Sequence, residues 1–83
     1  MEIIFTHSAF LQLKELDRKI KKRILNKLKF FASQKNPLQF AESLRDRRFG
    51  QFRFRIGDYR VIFDVEKEKI IILKVGHRKD IYQ

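Results

Sequence analysis

Gln51-Phe52-Arg53-Phe54-Arg55-Ile56-Gly57-Asp58-Tyr59-Arg60-Val61-Ile62-Phe63-Asp64-Val65 decides the fold. Two stretches of alternating character, 51–56 and 59–65, flank Gly57-Asp58. A two-residue loop of this type between alternating runs is a strong β-hairpin signal. A loop that short also fixes the pairing. Ile56 faces Tyr59, Phe54 faces Val61 and Phe52 faces Phe63, so these six side chains share one face of the sheet. The other face carries Arg55 opposite Arg60, with Arg53 opposite Ile62. Like charges directly across a ladder are destabilising, so a face built this way awaits an anion. Arginine suits phosphate because its guanidinium is planar, permanently charged and able to make two parallel bonds to phosphate oxygens.

Downstream, Glu66 to Lys69 reads as a charged turn and Ile70 to Val75 as a third strand. Ile71, Leu73 and Val75 fit the core face if that turn has an odd number of residues. The strand runs into Gly76-His77-Arg78-Lys79, with Tyr82 close behind. Arg53, Arg55, Arg60, His77, Arg78 and Tyr82 are therefore expected to converge.

Upstream, the spacing is helical. Ser8 is the expected cap of a helix to about Leu16, with Ala9, Leu13 and Leu16 as its stripe. Asp17 caps a second helix to about Ser33. There Ile20, Ile24, Leu28 and Phe31 form the apolar face, and Arg18, Lys22 and Lys29 lie opposite. Almost no loop separates the two helices, so they form an αα-hairpin. Asn36-Pro37 ends the helical region. Residues 38–49 give mixed signals, with a short helical turn expected around Phe40 to Leu44. Glu2 to Thr6 is apolar and β-branched and reads as a strand that joins the sheet's edge. The order is β, αα, then a three-stranded meander, in a single domain over 1–83.

Charge is the strongest whole-chain signal. Twenty Lys and Arg against ten Asp and Glu give +10, which points to a polyanion or an acidic protein as partner. A membrane surface is disfavoured, since no amphipathic aromatic segment stands apart from the core. Without cysteine, disulfides and thiolate-bound metals are excluded. His7 and His77 fit no metal-ligand spacing. Gly50, Gly57 and Gly76 are too sparse for a phosphate-cradling loop, and no Ser–His–Asp set appears, so no cofactor is expected. No apolar run is long enough to span a membrane, and Met-Glu-Ile-Ile-Phe is no signal peptide; the expected location is the cytoplasm.

Gly57-Asp58-Tyr59-Arg60-Val61-Ile62-Phe63, then Val75-Gly76-His77-Arg78 and a late Tyr82, resembles the RelE family of toxin–antitoxin ribonucleases. The helical hairpin and the Leu44-Arg45 segment match the family's order, and the likeness covers nearly the whole chain. The resemblance implies an α+β fold in which an N-terminal strand and an αα-hairpin pack on one face of a twisted antiparallel sheet. It also implies metal-independent cleavage of mRNA, in many members within the ribosomal A site. The ribose 2′-oxygen attacks the adjacent phosphorus and the 5′-oxygen leaves. Arg60 matches the arginine of the family's Tyr-Arg motif and Arg78 that of its terminal Gly-x-Arg motif; both would hold the scissile phosphate. Arg53 and Arg55 match basic strand positions that are often lysine, and Tyr82 an aromatic position that orients the substrate. Because arginine does not readily lose its proton, His77 is the alternative proton carrier.

The resemblance further implies a cognate antitoxin, and the net charge predicts that it contributes an acidic, amphipathic segment. Leu11, Leu25 and Phe30 lie off the core stripes and are candidate seats for it. Arg18, Lys22 and Lys29, with Lys79, are the candidate contacts to RNA or the ribosome. Two other readings stay open: a ParE-like toxin that inhibits DNA gyrase without cutting RNA, and a silent RNA-binding module.

Overall fold

The computed structural model describes residues 1–82. The elements are β1 (Glu2–Phe5), α1 (His7–Lys14), α2 (Arg18–Ser33), a 3-10 turn (Pro37–Phe40), β2 (Ala41–Ser43), β3 (Phe52–Ile56), β4 (Tyr59–Glu66) and β5 (Lys69–His77). They build one α+β unit, with the αα-hairpin packed on a five-stranded sheet of order β1-β5-β4-β3-β2. The expected edge strand is there, but β1 runs parallel to β5, Phe5 beside Ile72, so the sheet is antiparallel only from β5 to β2.

Local chemistry explains the boundaries. The Thr6 hydroxyl, not Ser8, caps α1 by accepting from the Ala9 N–H at 3.2 Å, so the helix starts at His7 and ends at Lys14. Asp17 caps α2 as expected, its carboxylate accepting from the Lys19 N–H at 3.1 Å. The helical turn expected around Phe40 to Leu44 lies earlier. Asn36 Oδ1 accepts from the Leu38 N–H at 3.3 Å and Pro37 opens the turn, a position that needs no N–H donor. That frees Ala41–Ser43 to pair with β3.

The β3–β4 register is the one the two-residue loop dictates, from Phe52–Phe63 to Ile56–Tyr59. Phe54, Ile56, Val61 and Phe63 are buried with Ala9, Leu13, Ile24, Leu28 and Phe31. Phe54 is the hub, 4.3 Å ring to ring from Phe63 and 4.5 Å from Phe31. Each such apolar side chain contributes roughly 1.5–3 kcal/mol when fully buried.

The expectation for β5 is corrected. The loop is two residues long, Lys67 and Glu68, with Glu66 paired to Lys69 and Lys67 at φ 57°. This even count puts Ile70 and Ile72 on the core face instead of Ile71 and Leu73. A bulge then intervenes: Phe63 pairs with Ile72 and Ile62 with Lys74, leaving Leu73 extra. The bulge restores the parity that brings Val75 to the core. Leu73 instead packs, with Phe49, on a small second core of Leu44, Ile62 and Ile81 on the arginine side of the sheet.

α2 carries seven Lys or Arg in sixteen residues and no acid, with Arg18, Lys19 and Lys21 at its start. A helix N-terminus is the positive end of the dipole, so those cations are misplaced for stability. Lys19→Glu is expected to raise Tm by about 2–5 °C at low salt, and thermal unfolding checks it.

Candidate nucleic-acid interface

Alternation along β3 and β4 carries Arg53, Arg55 and Arg60 to the face away from the helices, with Arg55 paired to Arg60. Glu42, on β2, pairs with Arg53 and so stands on the same face. Its Oε1 accepts from Arg53 Nε at 3.2 Å and lies 3.8 Å from Arg55 Nε. Arg53 Nη1 donates to the Tyr82 hydroxyl at 2.6 Å. Tyr82 and then Glu42 hold the Arg53 guanidinium above its ordinary pKa.

Arg60 differs from the other arginines. It is only 8% exposed. Its Nη1 donates to the carbonyls of Gly57 and Tyr59, both at 2.9 Å. Burial first, then the positive charges of Arg55, Arg53 and Arg78, push its pKa below the usual arginine range. Among the described residues no carboxylate lies within ion-pair distance of it. A cation crowded by three others and nearly buried in protein gains more from an incoming anion than an exposed one does.

Arg78 reaches the cluster through the hairpin tip. Its N–H donates to the Asp58 carbonyl at 2.8 Å, and its Nε lies 3.7 Å from Asp58 Oδ1. The Gly57-Asp58 turn therefore contacts both Arg60 and Arg78. Tyr82 follows Ile81, which is buried in the second core, and its ring meets Phe49 edge-on at 5.1 Å. Beside it, a pocket of about 320 Å³ opens between Ser43, Leu44, Arg45, Asp46, Phe49, Arg53 and Tyr82.

His77 does not join them. It pairs with Tyr59 on the helix side of the sheet, meets that ring edge-on at 5.3 Å, and its Nδ1 accepts from the Lys79 N–H. The expected convergence thus holds for Arg53, Arg55, Arg60, Arg78 and Tyr82. β5 runs two residues past Val75, and that alternation turns His77 away.

Arg18, Lys22 and Lys29 are exposed on α2 and line one groove with Lys21, Leu25 and Asn26. Leu11 is exposed on α1, Leu25 is partly buried against the core, and Phe30 lines a different groove, so the three do not form one seat. Two residues were missed by sequence reasoning. In the sequence Asp58 reads only as a turn former, and nothing in residues 38–49 signals that Glu42 pairs with Arg53.

An αα-hairpin on one face of a short sheet, with gathered arginines on the other, defines the toxin half of a type II toxin–antitoxin pair. The chain belongs to the RelE/ParE superfamily of such toxins: the family model described as ParE toxin of type II toxin-antitoxin system, parDE, matches residues 3–82. It is 32% identical to Toxin RelG of Mycobacterium tuberculosis, over 95% of this chain and 92% of the relative. Among solved structures, it resembles the toxin-antitoxin complex RelBE2 from Mycobacterium tuberculosis, at 28% identity and TM-score 0.76, covering 95% of this chain and 92% of that one. It also resembles the RelB-RelE antitoxin-toxin complex from Methanococcus jannaschii, at 25% identity and TM-score 0.70, covering 95% and 94%. Each of those two structures holds a toxin together with its antitoxin. No helix among the described residues is long and apolar enough to cross a membrane.

Proposed function

We propose that this toxin is a metal-independent endoribonuclease that cleaves mRNA, in the ribosomal A site, by attack of the ribose 2′-oxygen on the adjacent phosphorus. The observation that carries this reading is Arg60, a nearly buried guanidinium surrounded by Arg53, Arg55 and Arg78. A phosphate passing through a more highly charged transition state is what such a preorganised group stabilises. Arg60 and Arg78 clamp the phosphate, Arg53 and Arg55 widen the positive surface, and Tyr82 orients the nucleotide beside the pocket at Phe49. Arg18, Lys22, Lys29 and Lys79 contact RNA or the ribosome.

His77 faces away, and the arginines keep their protons. Glu42, seated between Arg53 and Arg55, is the group best placed to accept the 2′-hydroxyl proton. The new P–O2′ bond forms as the bond to the 5′-oxygen breaks. That oxygen takes a proton from solvent, leaving a 2′,3′-cyclic phosphate. Glu42→Gln is expected to lower the cleavage rate about a hundredfold or more. Retention of the parental rate would send the proton elsewhere.

The match to a ParE model favours a second reading, inhibition of DNA gyrase. One paired experiment separates them: sequencing the ends of RNA exposed to the purified toxin with and without ribosomes, alongside a gyrase supercoiling assay. Discrete new ends with unaffected gyrase support cleavage. Inhibited gyrase with intact RNA reverses the order.

A further inference from the structure

The Gly57-Asp58 turn is held from both layers of the fold. On the side of the arginine face, Arg60 Nη1 donates to the Gly57 carbonyl at 2.9 Å, and the Arg78 N–H donates to the Asp58 carbonyl at 2.8 Å. On the helical side, Arg23 of α2 lays its guanidinium on Gly57. A Cβ at Gly57 would stand 2.7 Å from Arg23 Nη1 and 3.0 Å from both Cζ and Nη2. Those three atoms are nearly equidistant from one point, so the planar group lies face-on to the glycine.

Gly57 has φ 60° and Asp58 does not share the positive φ. That is the pattern of a type II′ turn, which already calls for glycine at its first central position. The bare Cα has a second use: it lets a flat cation rest directly on the backbone. An ion pair does not put Arg23 there, because among the described residues no carboxylate lies within ion-pair distance of it. Nor is its charge one of those that crowd Arg60, which are Arg55, Arg53 and Arg78. Arg23 therefore bears on the turn by contact. Its own footing is firm: the next residue, Ile24, and Leu28 one turn on are buried in the main core. The turn by itself is less firm. Gly57 and Asp58 are both exposed, and an exposed two-residue tip is the kind of segment that opens locally.

We propose that Arg23 is a positioning residue: it braces the Gly57-Asp58 turn from the helical side and so fixes the two carbonyls against which Arg60 and Arg78 are set. These carbonyls belong to adjacent residues, so a shift of the turn displaces both arginines at once. A misplacement of about 1 Å, caused far from the chemistry, can cost about 10²-fold in rate. Arg23 stands in the layer on the other side of the sheet, so it acts through the turn and not on the phosphate. Its effect on cleavage rests on the ribonuclease reading; its effect on the turn rests on geometry alone.

The test compares Arg23→Ala and Arg23→Lys with Lys27→Ala in the whole toxin. The three atoms nearest the Gly57 Cβ position all belong to Arg23, so Lys27→Ala, one helical turn on, removes the same charge and leaves the brace in place. Two quantities are read: RNA cleavage resolved into kcat and KM, and hydrogen exchange of the Arg78 N–H, which the Asp58 carbonyl protects. Arg23→Ala is expected to lower kcat by about tenfold to a hundredfold and to change KM by less than about threefold. It should also speed exchange at Arg78 by about tenfold or more. Arg23→Lys keeps the charge and loses the plane, so it restores neither. Lys27→Ala leaves both quantities within about twofold of the parent, as surface substitutions away from a contact do. Arg23 and Lys27 are exposed, so Tm stays within about 4 °C in each variant and every protein compared is folded. Full rescue by Arg23→Lys would reduce the side chain to its charge and overturn the proposal. Equal losses of kcat in Arg23→Ala and Lys27→Ala would do the same. Unchanged exchange at Arg78 would mean that the turn stands without the brace, and that too overturns it. If the parent cuts no RNA, the ribonuclease reading falls, and the exchange contrast between Arg23→Ala and Lys27→Ala still decides the brace.

Discussion

Arg78→Ala is expected to lower kcat/KM for RNA cleavage by about 10²–10³ with little change in Tm. Loss of one preorganised donor to a developing oxyanion has effects of this size. The side chain is 56% exposed, and its one carboxylate contact among the described residues, to Asp58, is long at 3.7 Å, so the fold does not depend on it. Arg60→Ala should lose at least as much activity, and some stability with it. Its removal strips the Gly57 and Tyr59 carbonyls of a donor in a part-buried setting, a change worth about 1–3 kcal/mol. Arg60→Lys separates the two roles. It retains a charge but not the planar fork, so Tm recovers more than cleavage does. If Arg78→Ala and a folded Arg60 variant both cut RNA at the parental rate, these arginines do not hold the scissile phosphate.

Gly50→Ala carries the largest expected effect on stability. Gly50 has φ 148°, and a Cβ there would lie 2.7 Å from Ile62 Cγ2 and 3.0 Å from Leu73 Cδ1. The Leu73 methyl ends a flexible side chain. The Ile62 methyl is attached at Cβ and locked by β4, so the backbone must move. Overpacking together with a disfavoured backbone conformation should cost about 2–4 kcal/mol, and Tm should fall on the order of 10–20 °C. The damage falls on the small core of Leu44, Ile62 and Ile81, which anchors the segment bearing Tyr82, so cleavage should fall beyond what unfolding explains. A Tm within 2–3 °C of the parent would mean that the two cores are less tightly joined than described.

The hairpin was legible because a two-residue loop leaves no freedom in register, and five correct pairs followed from it. The same logic failed one hairpin later. Glu66 to Lys69 offers no turn residue to mark where the strands end, and a bulge at Leu73 cannot be read from an unbroken apolar run. Ile71 and Leu73 were therefore placed on the wrong face. β2 was illegible because three residues are too few to show alternation. Glu42 was lost with it, since its meaning lies wholly in a partner eleven residues away. His77 sits in the right motif on the wrong face: a motif records which residues lie near the sheet's end, and only strand parity decides the side.

The parallel pairing of β1 with β5 sets the order of assembly. Residues 2–5 find their neighbours only at 69–72, so β1 has nothing to pair with until the residues between have been synthesised. Contacts of such wide sequence separation form late. At about 5–20 residues per second, β1 waits roughly 3–15 s for its partner strand. Arg78 and Tyr82 arrive still later. The arginine surface is thus completed only when Arg78 and Tyr82 join the β3–β4 hairpin, and the interval before that is time in which a partner can already be at hand.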